Sequence, residues 1–211
     1  MVLLGKAFIF PDVESADHDG ILAIGGDLQP ERLILAYRSG IFPWYNQGEP
    51  IIWYSPDKRM VLFPEKLKIS KSMHKLIRKN EFSITWNTAF NQVIEACQKS
   101  PRKDQDGTWI TNDMMQAYIR LHELGFAKSI EVWKDEELVG GLYGIDLGHV
   151  FCGESMFSKM SNTSKLAFIH LVQHLEKKNY KLIDCQVYNE HLESLGAEEI
   201  ERHEFIGYLK D

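Results

Sequence analysis

The chain reads as an α+β protein, with a small N-terminal α/β lobe over residues 1–60 and a larger domain over residues 61–211. Three observations predict this class. The first sixty residues are dense in Gly, Pro and aromatics around one short helical pattern. From Ser129, three β-rich runs (SIEVWK, ELVGGLYGIDLG and HVFCGESMF) succeed one another across turn signals, as in an antiparallel meander. A helix, an apolar strand and a further helix-and-strand segment follow, with no internal repeat or long linker.

In chain order, Pro30 opens a helix that runs to about Ser39, with Gly40 at its C-terminal end. RMVLFP then reads as a strand, and Ser70 is placed to cap a helix whose Met73, Leu76 and Ile77 form a narrow apolar stripe. FSITW predicts a strand and Ala89 to Gln98 a helix. Thr111 can cap a strongly periodic helix through Met114, Met115, Tyr118, Leu121 and Leu124, closed by Gly125. Beyond the meander, a helix from about Ser164 to Lys178 leads to the apolar strand KLIDCQV, and HLESLGAEEI and HEFIGYL complete the chain. This order resembles the acyltransferase fold of the GNAT superfamily.

With 211 residues, 44% hydrophobic and 26% charged, the chain can bury a substantial core. A net charge of -6 argues against a protein that coats nucleic acid with its whole surface. The distribution is uneven, however. Residues 66–103 hold nine Lys or Arg (Lys66, Lys68, Lys71, Lys75, Arg78, Lys79, Lys99, Arg102, Lys103) against only Glu81 and Glu95. Such a local footprint suits a compact polyanionic contact, such as a tRNA arm. Cys97, Cys152 and Cys185 are too few and too scattered for a disulfide framework or a metal knuckle, which fits a reducing cytoplasm. The eight histidines show no metal-ligand spacing, so no metal is expected. Lys6 interrupts the apolar start with no small-residue cleavage site after it, so no signal peptide is expected. No run approaches the roughly 20 apolar residues of a membrane span.

An ordered series of segments carries a closer resemblance: GILAIGGDLQPERLILAYRSGIFPWY, WYSPDKRMVLFPEKLKISKSM, GTWIT, AYIRLHELGFAKSIEVW, ELVGGLYG, FCGESMFS and KLIDCQVYNEHLESLGA. Together they span nearly the whole chain and resemble the leucyl/phenylalanyl-tRNA–protein transferases. The resemblance implies an enzyme that takes Leu, and less efficiently Phe or Met, from aminoacyl-tRNA and joins it to a protein beginning with Arg or Lys. The product is an N-degron. A cytoplasmic monomer without membrane contact is expected, and because an aminoacyl ester is already activated its attack by an amine needs no cofactor or metal.

Period-two geometry puts Asp184 and Gln186 on one face of their strand, where a carboxylate and an amide can converge on one amine. Read from residues alone, the better account of Asp184 is a buried carboxylate bonded to backbone groups, and of Gln186 a partner on the sheet. The resemblance assigns Gln186 to hydrogen-bonding the acceptor α-amine, and Asp184 to attracting its proton or organising Gln186. Glu154 shares a strand face with Met156, and without the resemblance it reads as a surface carboxylate on a hairpin; the family pattern places it near the acceptor's cationic residue. Leu142, Met156 and Cys185 resemble the lining of an apolar pocket for the donor side chain, or else pack a core. Strict alternation points Cys185 away from Asp184 and Gln186, so either the pocket lies on the opposite face or the strand bends. Trp44, Trp109 and Tyr118 match family positions around the terminal adenosine or aminoacyl group. Lys71, Lys75, Arg78 and Lys79, at i, i+4, i+7 and i+8, stack along one side of a helix and match the family's tRNA-contacting cluster. On an ordinary helix they make a solvated face.

Three other readings compete. A CoA-dependent N-acetyltransferase needs a Gly-rich loop to cradle pyrophosphate, yet no glycine lies between Gly153 and Gly196. A noncatalytic tRNA-binding module leaves Glu154, Asp184 and Gln186 without a purpose. A transferase that loads amino acids onto a cell-wall precursor shares the donor and differs in the acceptor.

Overall fold

Two sheets organise the chain in a computed structural model that describes residues 2–100 and 109–210. Arg102 and Lys103 of the basic stretch, and Gly107 and Thr108 of GTWIT, lie outside the described residues. The smaller sheet has the order β1-β2-β4-β3, from β1 (Val2–Leu4), β2 (Ile21–Gly25), β3 (Phe42–Pro43) and β4 (Ile52–Tyr54). These strands are too short for period-two patterning to show in the sequence, where only turns and one helix stand out. That helix, α1 (Pro30–Arg38), starts with Pro30 in its first turn and gives way to Gly40, whose φ of 75° suits glycine. The buried Arg32 ties the first residues down, donating to the carbonyls of Gly5 (2.8 Å) and Ala7 (3.0 Å) and pairing with Asp27.

The larger sheet has the order β11-β5-β10-β9-β8-β7-β6. Its strands are β5 (Lys58–Leu62), β6 (Ser83–Trp86), β7 (Ala127–Lys134), β8 (Glu137–Asp146), β9 (Val150–Ser158), β10 (Leu182–Gln186) and β11 (Glu198–Glu201). Strands β7 to β9 form the antiparallel meander, and β6 pairs antiparallel with β7 at its edge. Helix α5 (Thr163–Lys177) then crosses over, so that β10 lies parallel to β9.

Side chains alternate between two cores. Val61, Tyr143, Ile145 and Leu182 face one, with α3 (Phe90–Lys99), α4 (Asn112–Glu123) and the small sheet. Met60, Leu62, Leu142 and Ile183 face the other, against the buried row of α5 that runs from Leu166 to Leu175. The two expected caps are made: Ser70 Oγ accepts from Met73 N at the start of α2 (Lys71–Lys79), and Thr111 Oγ1 accepts from Met114 N. The chain ends through α6 (Glu190–Glu193), β11 and α7 (Arg202–Leu209). No helix among the described residues is long and apolar enough to cross a membrane.

Candidate active site

Parallel strands β9 and β10 pair only over Val150–Cys152 and Leu182–Asp184, and then part. Each strand carries an irregularity where the gap opens. Between β8 and β9 the register passes from Tyr143↔Ser155 to Gly144↔Gly153, leaving Glu154 as the extra residue. Between β5 and β10 it passes from Val61↔Asp184 to Met60↔Gln186, leaving Cys185 as the extra residue. A bulge bends its strand and re-aims side chains, and two facing bulges hold this wedge open. The result is a cavity of about 540 Å³ lined from both strands.

Its polar edge is assembled from distant parts of the chain. Arg59 Nε and Nη2 donate to Asp184 at 2.8 and 2.7 Å, and both side chains are buried. The guanidinium also reaches the Gly40 carbonyl at 3.3 Å and lies between the rings of Phe42 and Phe205, 4.7 and 4.6 Å from their centroids. Burial works against the Arg59 charge, but Asp184 outweighs it and the pKa of the guanidinium is raised. Asp184 Oδ1 also accepts from the backbone N–H of Gln186 at 2.8 Å. That bond accompanies a left-handed backbone at Gln186, with φ of 66°, an uncommon conformation for a non-glycine residue. The strain is held by the buried ion pair beneath it. Gln186 thereby extends across the wedge, and its Nε2 donates to Glu154 Oε1 at 2.8 Å.

Glu154 is held from behind as well. Tyr118 donates its hydroxyl proton to Glu154 Oε2 at 3.0 Å, and the Tyr118 hydroxyl is itself hydrogen-bonded to that of Tyr37. Burial pushes the Glu154 carboxyl up to about 8, while the two tyrosine hydroxyls pull it down and the charge of Asp184 adds to the rise. Glu154 is therefore poised to change protonation when a positive charge arrives.

The structure brings Leu142, Met156 and Cys185 to the cavity together with Phe168, Leu171, Ile183 and Leu192, which makes its inner part apolar. Trp44 and Trp109 also line it. Three expectations change. Tyr118 does not line the cavity, because it is fully buried and acts on the site through Glu154. Asp184 and Gln186 do not present two side chains from one face of a regular strand, because the bulge intervenes. Asp184 does not present a free carboxylate, because both its oxygens are engaged by Arg59 and one also by the Gln186 N–H. The conflict over Cys185 resolves through the bend: Asp184, Cys185 and Gln186 all reach the cavity.

Sequence reading missed Arg59, Tyr37, Phe168, Asn189 and His191. Arg59 left one signal, a charge within the otherwise apolar run of RMVLFP. His191 also lines the cavity, and its Nε2 is buried with no hydrogen-bond partner among the described residues. Elsewhere, Asp17, His18 and Asp19 gather ligand atoms within 4.8 Å, but all three are exposed and none lines the cavity.

A second region lies on α2. Lys71, Lys75, Arg78 and Lys79 are exposed and, with His74, line an open groove of about 410 Å³. Lys79 pairs with Glu81 at 3.2 Å, and among the described residues no carboxylate pairs with Lys71, Lys75 or Arg78.

The site is thus a parallel pair of strands parted over an apolar cavity, with a carboxylate and an amide bridging its mouth. The fold is shared with FemX, with a TM-score of 0.54 at 10% identity over 82% of this chain and 66% of that one. The family described as leucyl/phenylalanyl-tRNA protein transferase matches residues 61–210, and its N-terminal domain matches residues 26–57. Relatives named leucyl/phenylalanyl-tRNA–protein transferase include one from Flavobacterium johnsoniae, 64% identical over 100% of this chain and 99% of its own length. Another, from Nitrosospira multiformis, is 56% identical over 99% of this chain and 90% of its own length. The chain belongs to the leucyl/phenylalanyl-tRNA–protein transferase family.

Proposed function

We propose that this transferase moves Leu, and also Phe or Met, from aminoacyl-tRNA to the α-amine of proteins beginning with Arg or Lys, marking them for degradation. The observation that carries this reading is the Gln186–Glu154 bridge across the mouth of an apolar cavity. The inner cavity, with Leu142, Met156 and Cys185, suits an aliphatic or aromatic apolar side chain, and the polar edge suits an amine and a cation.

In the reaction, the acceptor nitrogen attacks the ester carbonyl carbon and the bond to the tRNA 3′ oxygen breaks. The amine gives up a proton and the departing 3′ oxygen gains one. An aminoacyl ester is already activated, so positioning and charge placement supply most of what is needed. With Gln186 Nε2 given to Glu154, its Oε1 is available to accept from the α-amine and aim the lone pair at the ester. Asp184, held by Arg59, fixes Gln186 through its backbone. Glu154 receives the Arg or Lys side chain of the acceptor, whose charge favours the ionised carboxylate. Trp44 and Trp109 offer stacking faces to the terminal adenosine. The α2 groove takes tRNA phosphates, contacts that bind many tRNAs alike and leave selection to the cavity.

The test is transfer of radiolabelled leucine from Leu-tRNA to two peptides that differ only in beginning with Arg or Ala, with neither ATP nor CoA added. Transfer to the Arg peptide alone is expected. Equal transfer to both overturns the acceptor assignment. Transfer to neither, with tRNA binding intact, points to another acceptor such as a cell-wall precursor.

A further inference from the structure

The chain leaving Gln186 runs straight onto the surface. Val187 and Tyr188 are 37% and 54% exposed, although both are large apolar side chains. Val187 and Asn189 line the cavity, while Tyr188 between them lies outside it. The Tyr188 ring is not loose, since its hydroxyl donates to Glu193 Oε2 at 2.8 Å. The hydrogen bond to Glu193 raises the pKa of this phenol, with desolvation and the charges of Glu193, Glu190 and Glu199 adding to the rise. All three are exposed. From residue 187 to residue 201 there are five Glu and no Lys or Arg. Two of the five are paired, Glu198 with Lys66 and Glu201 with Lys58; among the described residues, Glu190, Glu193 and Glu199 have no cationic partner. A pinned aromatic face bordered by unpaired carboxylates thus lies two residues beyond the group assigned to the acceptor amine.

This surface repels polyanions, so it does not suit the tRNA. It suits what must leave the cavity once the acceptor amine has entered. An extended chain advances roughly 3.3–3.6 Å per residue, so residues two and three of the acceptor have to cross the rim of the wedge. An aromatic face with carboxylates around it favours Lys or Arg side chains. We propose that Val187 and Tyr188, with Glu190, Glu193 and Glu199, form a docking surface for the acceptor polypeptide immediately behind its first residue, selecting basic and rejecting acidic side chains there. This inference rests on the acceptor reading given above and extends it from the first residue to the next two.

The test compares three peptides beginning Arg-Lys, Arg-Ala and Arg-Glu and otherwise identical, at saturating Leu-tRNA. The enzymes are wild type, Tyr188→Ser, and the triple variant Glu190→Gln, Glu193→Gln, Glu199→Gln. These are surface positions, and circular dichroism checks that each variant is folded. Expected for wild type is kcat/KM falling in the order Lys, Ala, Glu, with about ten-fold between the extremes, carried mainly by KM and shrinking at high salt. The triple variant is expected to collapse that spread, and Tyr188→Ser to lower the advantage of the Arg-Lys peptide. A flat series for wild type, or an unchanged spread in the triple variant, overturns the docking surface while leaving the acceptor reading intact. Failure of wild type to use any of the three overturns both.

Discussion

The groove on α2 and the wedge between β9 and β10 are built in opposite ways. The groove is local: four cations within nine residues of one helix, exposed and mostly unpaired. The wedge is non-local and half-hidden. It depends on Arg59 meeting Asp184 across 125 residues of sequence, on Tyr37 meeting Tyr118 across 81, and on two bulges that put Glu154 and Gln186 face to face. The difference teaches where each kind of function can be stored. Attraction for a polyanion needs only charge and tolerates side-chain freedom, so an exposed helix face suffices. Aiming one lone pair at one carbonyl needs fixed atoms, and fixity comes from burial and interlocking hydrogen bonds.

Four experiments sharpen or break this contrast. The largest effect is expected at the base of the wedge. Arg59→Met leaves Asp184 buried and unpaired, and should lower stability by about 3–5 kcal/mol in denaturant titrations. Adding Asp184→Leu should recover much of that stability without recovering activity, because the Gln186 N–H loses its acceptor. If the double variant regains turnover, the pair is scaffold only.

Next in size, Gln186→Ala should cut single-turnover transfer about 10²-fold or more while leaving Leu-tRNA affinity nearly unchanged. Lys75→Ala with Arg78→Ala should do the converse, weakening Leu-tRNA binding about ten-fold near 0.1 M salt and flattening the salt dependence by about two counterions. Salt-independent losses would place the tRNA elsewhere.

The smallest effect concerns pH. With Glu154 raised from 4.5 to about 8, ionisation through that range should improve KM for an Arg peptide several-fold between about pH 7 and pH 9, and Glu154→Gln should lack this component. The α-amine of the peptide titrates near the same pH, so the variant is the necessary control. The stability effect has the opposite sense. A carboxyl whose folded pKa lies above its unfolded one stabilises at low pH, and the contribution fades as pH rises from about 4.5 to about 8. Wild type should therefore lose Tm relative to Glu154→Gln across that window. A constant difference would mean that Glu154 stays ionised throughout.

The same contrast explains what could be read from sequence. Ser70 and Thr111 announced their helices because a cap is a local bond to a backbone N–H three residues on. The meander from β7 to β9 showed itself through long β-rich runs, and the cationic row on α2 through helical spacing. The small sheet did not, since strands of two to five residues carry too few alternations. Nor did the wedge. Period-two reasoning set Asp184 beside Gln186 and left Cys185 misplaced, because nothing local in KLIDCQV marks the extra residue; the bulge is decided by pairing with β5 and by the ion pair to Arg59. Tyr118, read as a substrate contact, proved to be the support behind Glu154.

The central claim is that the wedge performs the chemistry while the groove holds the tRNA. It is tested most directly by measuring Leu-tRNA affinity and the saturated single-turnover transfer rate on the same preparations of Gln186→Ala and of the Lys75→Ala, Arg78→Ala double variant. The account predicts a crossed result: the first keeps affinity and loses rate, and the second loses affinity and keeps rate. If Gln186→Ala transfers leucine at the wild-type rate, or if the double variant remains slow at saturation, the division of labour is contradicted.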